Sequence, residues 1–178
     1  MNSTHPSPIF IGSTKGSKIA LYRYKPQFSN HPPIILTHGT FSNAVICEKL
    51  AEYLCHAGFD CWIYEWIGHG LSEYGDLTPD AEDHALNDVP AVIKKVKTET
   101  HQKSVLWVAH SGGGFMPLIY MARNLHRQKE IQALVALGSQ TTGAGKTFGG
   151  RIRIIASMMA DKCLGRVPGR YFGLGPED

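Results

Sequence analysis

The sequence lacks both a segment long and apolar enough to span a membrane and a recognisable signal peptide. It has no apolar run near the roughly 20 residues that a helix needs to span a bilayer, and its N-terminus has neither the basic nor the apolar stretch of a signal peptide. It also lacks internal repeats and low-complexity tracts. These absences predict a soluble, cytoplasmic chain. Its 178 residues, 43% of them hydrophobic, have the length of one globular domain.

The net charge is small and cysteines are few, and both observations restrict the kinds of ligand that the protein is expected to bind. A formal net charge of +3 is too small to indicate a nucleic-acid partner. The four cysteines form no CxxC pair, so we predict reduced thiols and no metal site. After Ser111 the basic residues outnumber the acidic ones. A solvated face explains this excess, and an anionic substrate or peripheral contact with a membrane surface is the alternative.

Apolar runs and helical patterns alternate along the chain. Strands are predicted near residues 9–11, 18–24, 34–36, 59–66, 105–109 and 131–137, and helices over 43–57, 81–98 and 115–125. This order predicts an α/β fold, with an open, mostly parallel sheet and helices on both of its faces. In such a sheet, reactive groups gather where strands end and helices begin.

The spacing of apolar residues also predicts the buried faces of two helices. In the first helix this face carries Ile46, Leu50, Tyr53, Leu54 and Ala57. In the second it carries Leu86, Val89, Val92, Ile93 and Val96. Pro90 lies inside the second pattern, which predicts a kink or a late start of that helix.

One serine stands where a strand is predicted to turn abruptly into a helix. Ser111 follows the apolar run 105–109 and precedes three consecutive glycines. The residues two before and two after it, Ala109 and Gly113, are small, as such a close approach of strand and helix requires. The helix that begins here directs its free N–H groups toward the hydroxyl. The pattern predicts that Ser111 is a nucleophile exposed on a sharp turn.

Three blocks in this order resemble the α/β-hydrolase family, in particular its serine esterase, lipase and S33-peptidase-like branch. They are ILTHGTFSN (35–43), YEWIGHGLS (64–72) and VAHSGGG (108–114). The resemblance implies an acyl-enzyme on Ser111, without metal or organic cofactor. It assigns the oxyanion-hole N–H groups to Gly112 and Thr40, with Phe41 as the second choice to Thr40. Glu65 departs from the aspartate that the family usually has in the second block.

The same resemblance implies that an acid and a histidine follow the serine, and the sequence does not supply them. The only later histidine, His126, lies about 20 Å along the following helix at 1.5 Å per residue, too far to act as the base. His38 and His69 are predicted to shape their loops, and His110 to point away from the serine. The remaining histidines, His84 among them, are predicted at the surface.

We therefore interpret residues 1–140 as the N-terminal part of an α/β-hydrolase core and 141–178 as the incomplete start of a lid or cap segment. On this interpretation the fold is truncated before its last strands, and the triad acid and histidine lie beyond Asp178. The 178-residue chain alone is then predicted to be inactive. Apolar residues in the lid segment, such as Ile154 and Met158, could line an acyl pocket or simply pack.

The function predicted from the sequence is hydrolysis of a carboxylic ester, a small molecule with a hydrophobic acyl group or a lipid. Transfer of the acyl group to an acceptor other than water stays open, as does the oligomeric state. One alternative is a hydrolase-like binding protein without catalysis. Another is a nucleotide-binding P-loop at GAGKT (143–147), which is disfavoured because Gln140 occupies the position of the motif's first glycine.

Overall fold

A computed structural model describes residues 6–13, 16–75 and 80–139 of the chain. These residues form six strands, all close to the predicted ones. The strands are β1 (Ile9–Gly12), β2 (Lys18–Tyr24), β3 (Ile34–Thr37), β4 (Cys61–Tyr64), β5 (Val105–His110) and β6 (Ile131–Leu137). The predicted lid segment 141–178 and the GAGKT sequence lie outside the described residues.

The strands make one sheet in the order β1-β2-β4-β3-β5-β6. The pairs β4–β3, β3–β5 and β5–β6 are parallel, whereas the pairs β1–β2 and β2–β4 are antiparallel. The prediction of an open, mostly parallel sheet is thus confirmed. In the register of the central strands, Thr37 lies opposite both Tyr64 and Ala109. The loops that follow β3, β4 and β5 therefore emerge at the same edge of the sheet.

Helices cover both faces of this sheet. The helices are α1 (Val45–His56), α2 (Ala81–Asp83), α3 (Val89–Thr100) and α4 (Phe115–Arg123), with a π-helical segment His84–Asp88 between α2 and α3. One buried cluster joins the sheet to α3 and α4, and a second cluster on the other face joins it to α1. In the described part of the chain, no helix combines the length and the apolar composition needed to cross a membrane.

Two predicted helix faces differ from the observed ones. In α1 the fully packed residues are Cys47 and Ala51, whereas Ile46 and Tyr53 are largely exposed. Small side chains let this helix approach the sheet closely, and the larger apolar residues flank the contact. In the second helical region Leu86 is exposed, because the π-helical segment shifts the residues before α3 out of the α-helical period. The helical region begins at Ala81, as the 81–98 pattern predicted, and Pro90 lies inside it, in the first turn of α3 directly after the π-helical segment.

Candidate active site

Ser111 lies on a strained turn between β5 and α4. It directly follows the last residue of β5 and begins a single 3₁₀ turn, Ser111–Gly114, which leads into α4. Its backbone φ is 50°, in the left-handed region that residues with a Cβ rarely adopt. Such strain persists only where the surrounding structure enforces it, and it often marks functional positions. The predicted strand–serine–helix geometry is present.

Close packing around this turn explains its glycines. A Cβ atom added to Gly113 would collide with the carbonyl oxygen of His38 and lie 3.0 Å from the Thr37 hydroxyl. One added to Gly112 would collide with the Thr40 hydroxyl oxygen and lie 3.1 Å from the Trp66 ring. The turn and the loop after β3 are therefore packed backbone against backbone, as the small residues around Ser111 predicted.

The three residues predicted to form an oxyanion hole lie around this contact. The Thr40 amide nitrogen is 3.4 Å from the position that a Cβ atom would take on Gly112, so the two residues predicted to supply the amides are in close contact. The Thr40 amide donates no hydrogen bond within the described residues. Gly112 is the second residue of the 3₁₀ turn, where an N–H has no partner within the turn. Phe41 is exposed, with a φ of 61°.

A buried aromatic cluster lies beneath the loop after β3. The amide of Trp66 donates to Nε2 of His38, and Nδ1–H of His38 donates to the carbonyl of Gly39 at 2.8 Å. The ring of His38 also stacks on the ring of Trp66, with centroids 5.1 Å apart. Burial lowers the pKa of His38 to about 4. His38 is therefore a neutral loop-shaping residue, as predicted, and both ring nitrogens are occupied.

The other histidine of the cluster, His69, behaves similarly. Its ring contacts the rings of His38 and Trp66, and its Nδ1 lies 3.4 Å from the carbonyl of Ile67. Burial lowers its pKa, and the nearby His84 lowers it further. This arrangement agrees with the predicted structural role in the turn after β4.

Glu65 connects the two loops that flank the site. Its carboxylate is buried and accepts hydrogen bonds from the amides of Ala44 and Leu71, at 3.0 and 2.7 Å, and from the hydroxyl of Tyr22. Gly70, with a φ of 51°, leaves room for it, since a Cβ there would collide with the carboxylate. Burial and the neighbouring Glu65 raise the pKa of Tyr22. The sequence marked Glu65 only as a departure from the family pattern.

Thr37 makes a second link, which the sequence did not indicate. Its hydroxyl donates to the carbonyl of Gly113 at 3.2 Å and accepts from the indole N–H of Trp107 at 3.0 Å. This hydrogen bond to Gly113 links the end of β3 to the turn that carries Ser111. A threonine ending an apolar run gives no signal of this contact, because the partners lie about 70 residues away in sequence.

The prediction that His84 lies at the surface is wrong. His84 is 8% exposed and its Nδ1 lies 2.6 Å from a carboxylate oxygen of Asp88, itself 3% exposed. The π-helical segment His84–Asp88 packs against α4 and turns both side chains inward. Polar side chains at this depth are tolerated because they bond to each other.

No histidine bonds to the Ser111 hydroxyl among the described residues. His110 and His126 are exposed, and the hydrogen bonds of His38, His69 and His84 are made elsewhere. Across the described residues, no three histidine, cysteine or acidic side chains lie close enough together to hold a metal ion. The described residues thus place a strained serine beside the loop that carries the Thr40 amide.

The sequence pattern of the serine aminopeptidase S33 family matches residues 29–169. Lipase member K of Homo sapiens is 29% identical over 126 residues, which are 62% of this chain and 32% of that lipase. Lipase member M of Mus musculus is 27% identical over 155 residues, covering 77% of this chain and 36% of that lipase. The chain spans about a third of the length of these two relatives.

Solved structures agree with this match. The α/β hydrolase GrgF from Penicillium sp. sh18 has a TM-score of 0.69 with the chain at 18% identity, and the similarity covers 88% of this chain and 53% of that protein. At this identity the likeness is one of fold. The chain belongs to the serine aminopeptidase S33 family and has the α/β-hydrolase fold.

Proposed function

We propose that the protein is a serine hydrolase that cleaves carboxylic esters through an acyl-enzyme on Ser111. The observation that carries the proposal is the strained turn at Ser111, with the amides of Gly112 and Thr40 beside it. Strain of this kind serves to present a side chain that ordinary backbone geometry would turn aside. The lipase relatives support an ester with a hydrophobic acyl group as the substrate.

In the proposed reaction the Ser111 hydroxyl attacks the ester carbonyl carbon, and its proton passes to a general base. The carbonyl oxygen becomes an oxyanion, which accepts hydrogen bonds from the amides of Thr40 and Gly112. The intermediate collapses to an acyl-serine, and the alcohol leaves with the proton. Water then attacks the acyl group and releases the acid. Fixed donors aimed at the oxyanion cost no reorganisation during the reaction.

Histidine is the base that this chemistry ordinarily uses, since its pKa lies near neutrality. Among the described histidines, His38 does not suit the role, because burial holds its pKa at about 4 and both ring nitrogens are bonded. The resemblance implies a histidine and an acid that follow Ser111 in the sequence. The test must therefore use the complete protein as its gene encodes it.

The test is turnover of chromogenic esters with short and long acyl chains by the complete protein. We expect Ser111→Ala to lower kcat by about a thousandfold or more, since the nucleophile is lost. Ser104→Ala is the matched control, because this serine lies at the start of β5 and its hydroxyl contacts only Gln132 among the described residues. Equal turnover by the Ser111→Ala variant would exclude Ser111 as the nucleophile, and binding without turnover would favour a non-catalytic hydrolase-like protein.

A further inference from the structure

We propose that the side-chain hydroxyl of Thr40 is a third hydrogen-bond donor to the oxyanion, beside the amides of Thr40 and Gly112. This inference rests on the proposed function of Ser111. It adds a side-chain donor to a site otherwise built from backbone amides, and it makes the identity of residue 40 a determinant of the rate.

The position of the hydroxyl follows from its contact with Gly112. A Cβ atom added to Gly112 would collide with Thr40 Oγ1 and lie 3.4 Å from the Thr40 amide nitrogen. The hydroxyl and the amide of Thr40 thus face the same side of Gly112. Gly112 directly follows Ser111 in the same turn. Both groups of Thr40 therefore lie against the residue next to the nucleophile, whose own amide is the third proposed donor.

The hydroxyl is also free to donate. Thr40 is exposed, and within the described residues its side chain has no hydrogen-bond partner. Thr37, three residues earlier, shows the opposite case, since its buried hydroxyl both donates to Gly113 and accepts from Trp107. A hydroxyl rotates about its C–O bond, so the Thr40 proton can turn toward a negative oxygen when one forms.

Charge on the carbonyl oxygen develops only as Ser111 attacks. A neutral ester oxygen is a weak acceptor, and a hydrogen bond to an anion is about twice as strong as one between neutral groups. The Thr40 hydroxyl should therefore stabilise the transition state more than the bound substrate. Such an interaction raises kcat and leaves KM nearly unchanged.

The experiment compares Thr40→Val and Thr40→Ser in the complete protein. Valine keeps the shape and the backbone amide but removes the hydroxyl, whereas serine keeps both donors. We expect Thr40→Val to lower kcat about 10- to 100-fold with little change in KM, and Thr40→Ser to stay within about threefold of the wild type. Ser42→Ala, which removes another hydroxyl from the same loop, is expected to leave kcat unchanged.

A second readout is the affinity of an alkyl boronic acid, whose tetrahedral adduct on serine imitates the oxyanion. Its Ki should rise in Thr40→Val by about the factor by which kcat/KM falls. If Thr40→Val does not fold, Thr40→Ala takes its place with the same expected loss. A wild-type kcat in Thr40→Val would overturn the inference. A loss of kcat in Thr40→Ser equal to that in Thr40→Val would also overturn it. Unchanged turnover in Ser111→Ala would instead refute the proposed function.

Discussion

At the residue scale, Gly113 faces backbone where the turn after Ser111 meets the loop after β3. An added methyl group there would collide with a backbone carbonyl, which cannot rotate away as a side chain could. The sequence predicted that this residue must be small, from its distance of two positions from Ser111. It could not predict that the opposing atom belongs to His38, because that contact depends on the register of β3 against β5.

We expect Gly113→Ala to destabilise the protein by about 1–3 kcal/mol, since the turn after Ser111 and the loop after β3 must separate to admit the methyl group. Gly12→Ala is the matched control. The Cβ position of Gly12 has its nearest neighbour at 4.0 Å, so the methyl group fits there. Thermal unfolding of both variants gives the melting temperatures to be compared. Equal melting temperatures for the two variants would contradict the packing described at the turn.

At the element scale, Glu65 joins the start of α1 to the loop after β4. Both of its carboxylate oxygens accept from backbone amides, one from Ala44 and one from Leu71. In Glu65→Gln the amide NH₂ must face one of these N–H groups, so a buried donor loses its acceptor. We expect a loss of about 2–3 kcal/mol in the free energy of unfolding, together with a lower kcat because the loop bearing Thr40 loosens.

Tyr22→Phe is the control for this prediction, since it removes one donor to Glu65 and leaves both amide contacts in place. Its loss should be smaller, about 1 kcal/mol. Urea unfolding of the two variants gives the comparison. A larger loss in Tyr22→Phe than in Glu65→Gln would show that the carboxylate does not hold the two loops.

The elements themselves show what sequence patterns can and cannot predict. All six strands were predictable, β2 from its alternation with a period of two and central strands such as β3 from short, continuous apolar runs. The packed face of α1 was not, because the contact uses the small residues Cys47 and Ala51 instead of the bulkier ones. The π-helical segment was also not predicted, since its extra residue per turn has no signature in composition. The burial of His84, which depends on this segment, was therefore not predicted either.

At the scale of the whole molecule, the buried histidines link stability to pH. An unfolded chain protonates histidine near pH 6.5, whereas burial holds the pKa of His38 at about 4 and also lowers that of His69. Between these pH values the unfolded state binds more protons, so stability falls as pH falls. His38 alone contributes up to roughly 3 kcal/mol to this loss, which ends below pH 4.

We expect His38→Asn to flatten the pH dependence of stability between about pH 6.5 and pH 4, although the variant is less stable at neutral pH because the contacts with Trp66 are lost. His56→Asn, which changes an exposed histidine at the end of α1, should keep the wild-type slope. Urea unfolding at several pH values measures both slopes. An unchanged slope in His38→Asn would mean that His38 does not stay neutral in the folded protein.

The strained turn at Ser111 was predictable because the glycines and the flanking pattern are local in sequence. Its supports were not, since Thr37, Trp107 and Glu65 reach their partners across the sheet. The predicted lid or cap segment 141–178 lies outside the described part of the chain, so the division at residue 140 stays a prediction. Cytoplasmic localisation likewise stays a prediction from the sequence.

Covalent labelling of the complete protein with a fluorophosphonate is the sharpest test of Ser111 as the nucleophile. We expect a single adduct, mapped by peptide mass spectrometry to Ser111 and absent from the Ser111→Ala variant. We also expect esters with hydrophobic acyl groups to slow the labelling by competing for the site. An adduct on another serine, or none on a protein that hydrolyses esters, would contradict the assignment of Ser111 as the nucleophile.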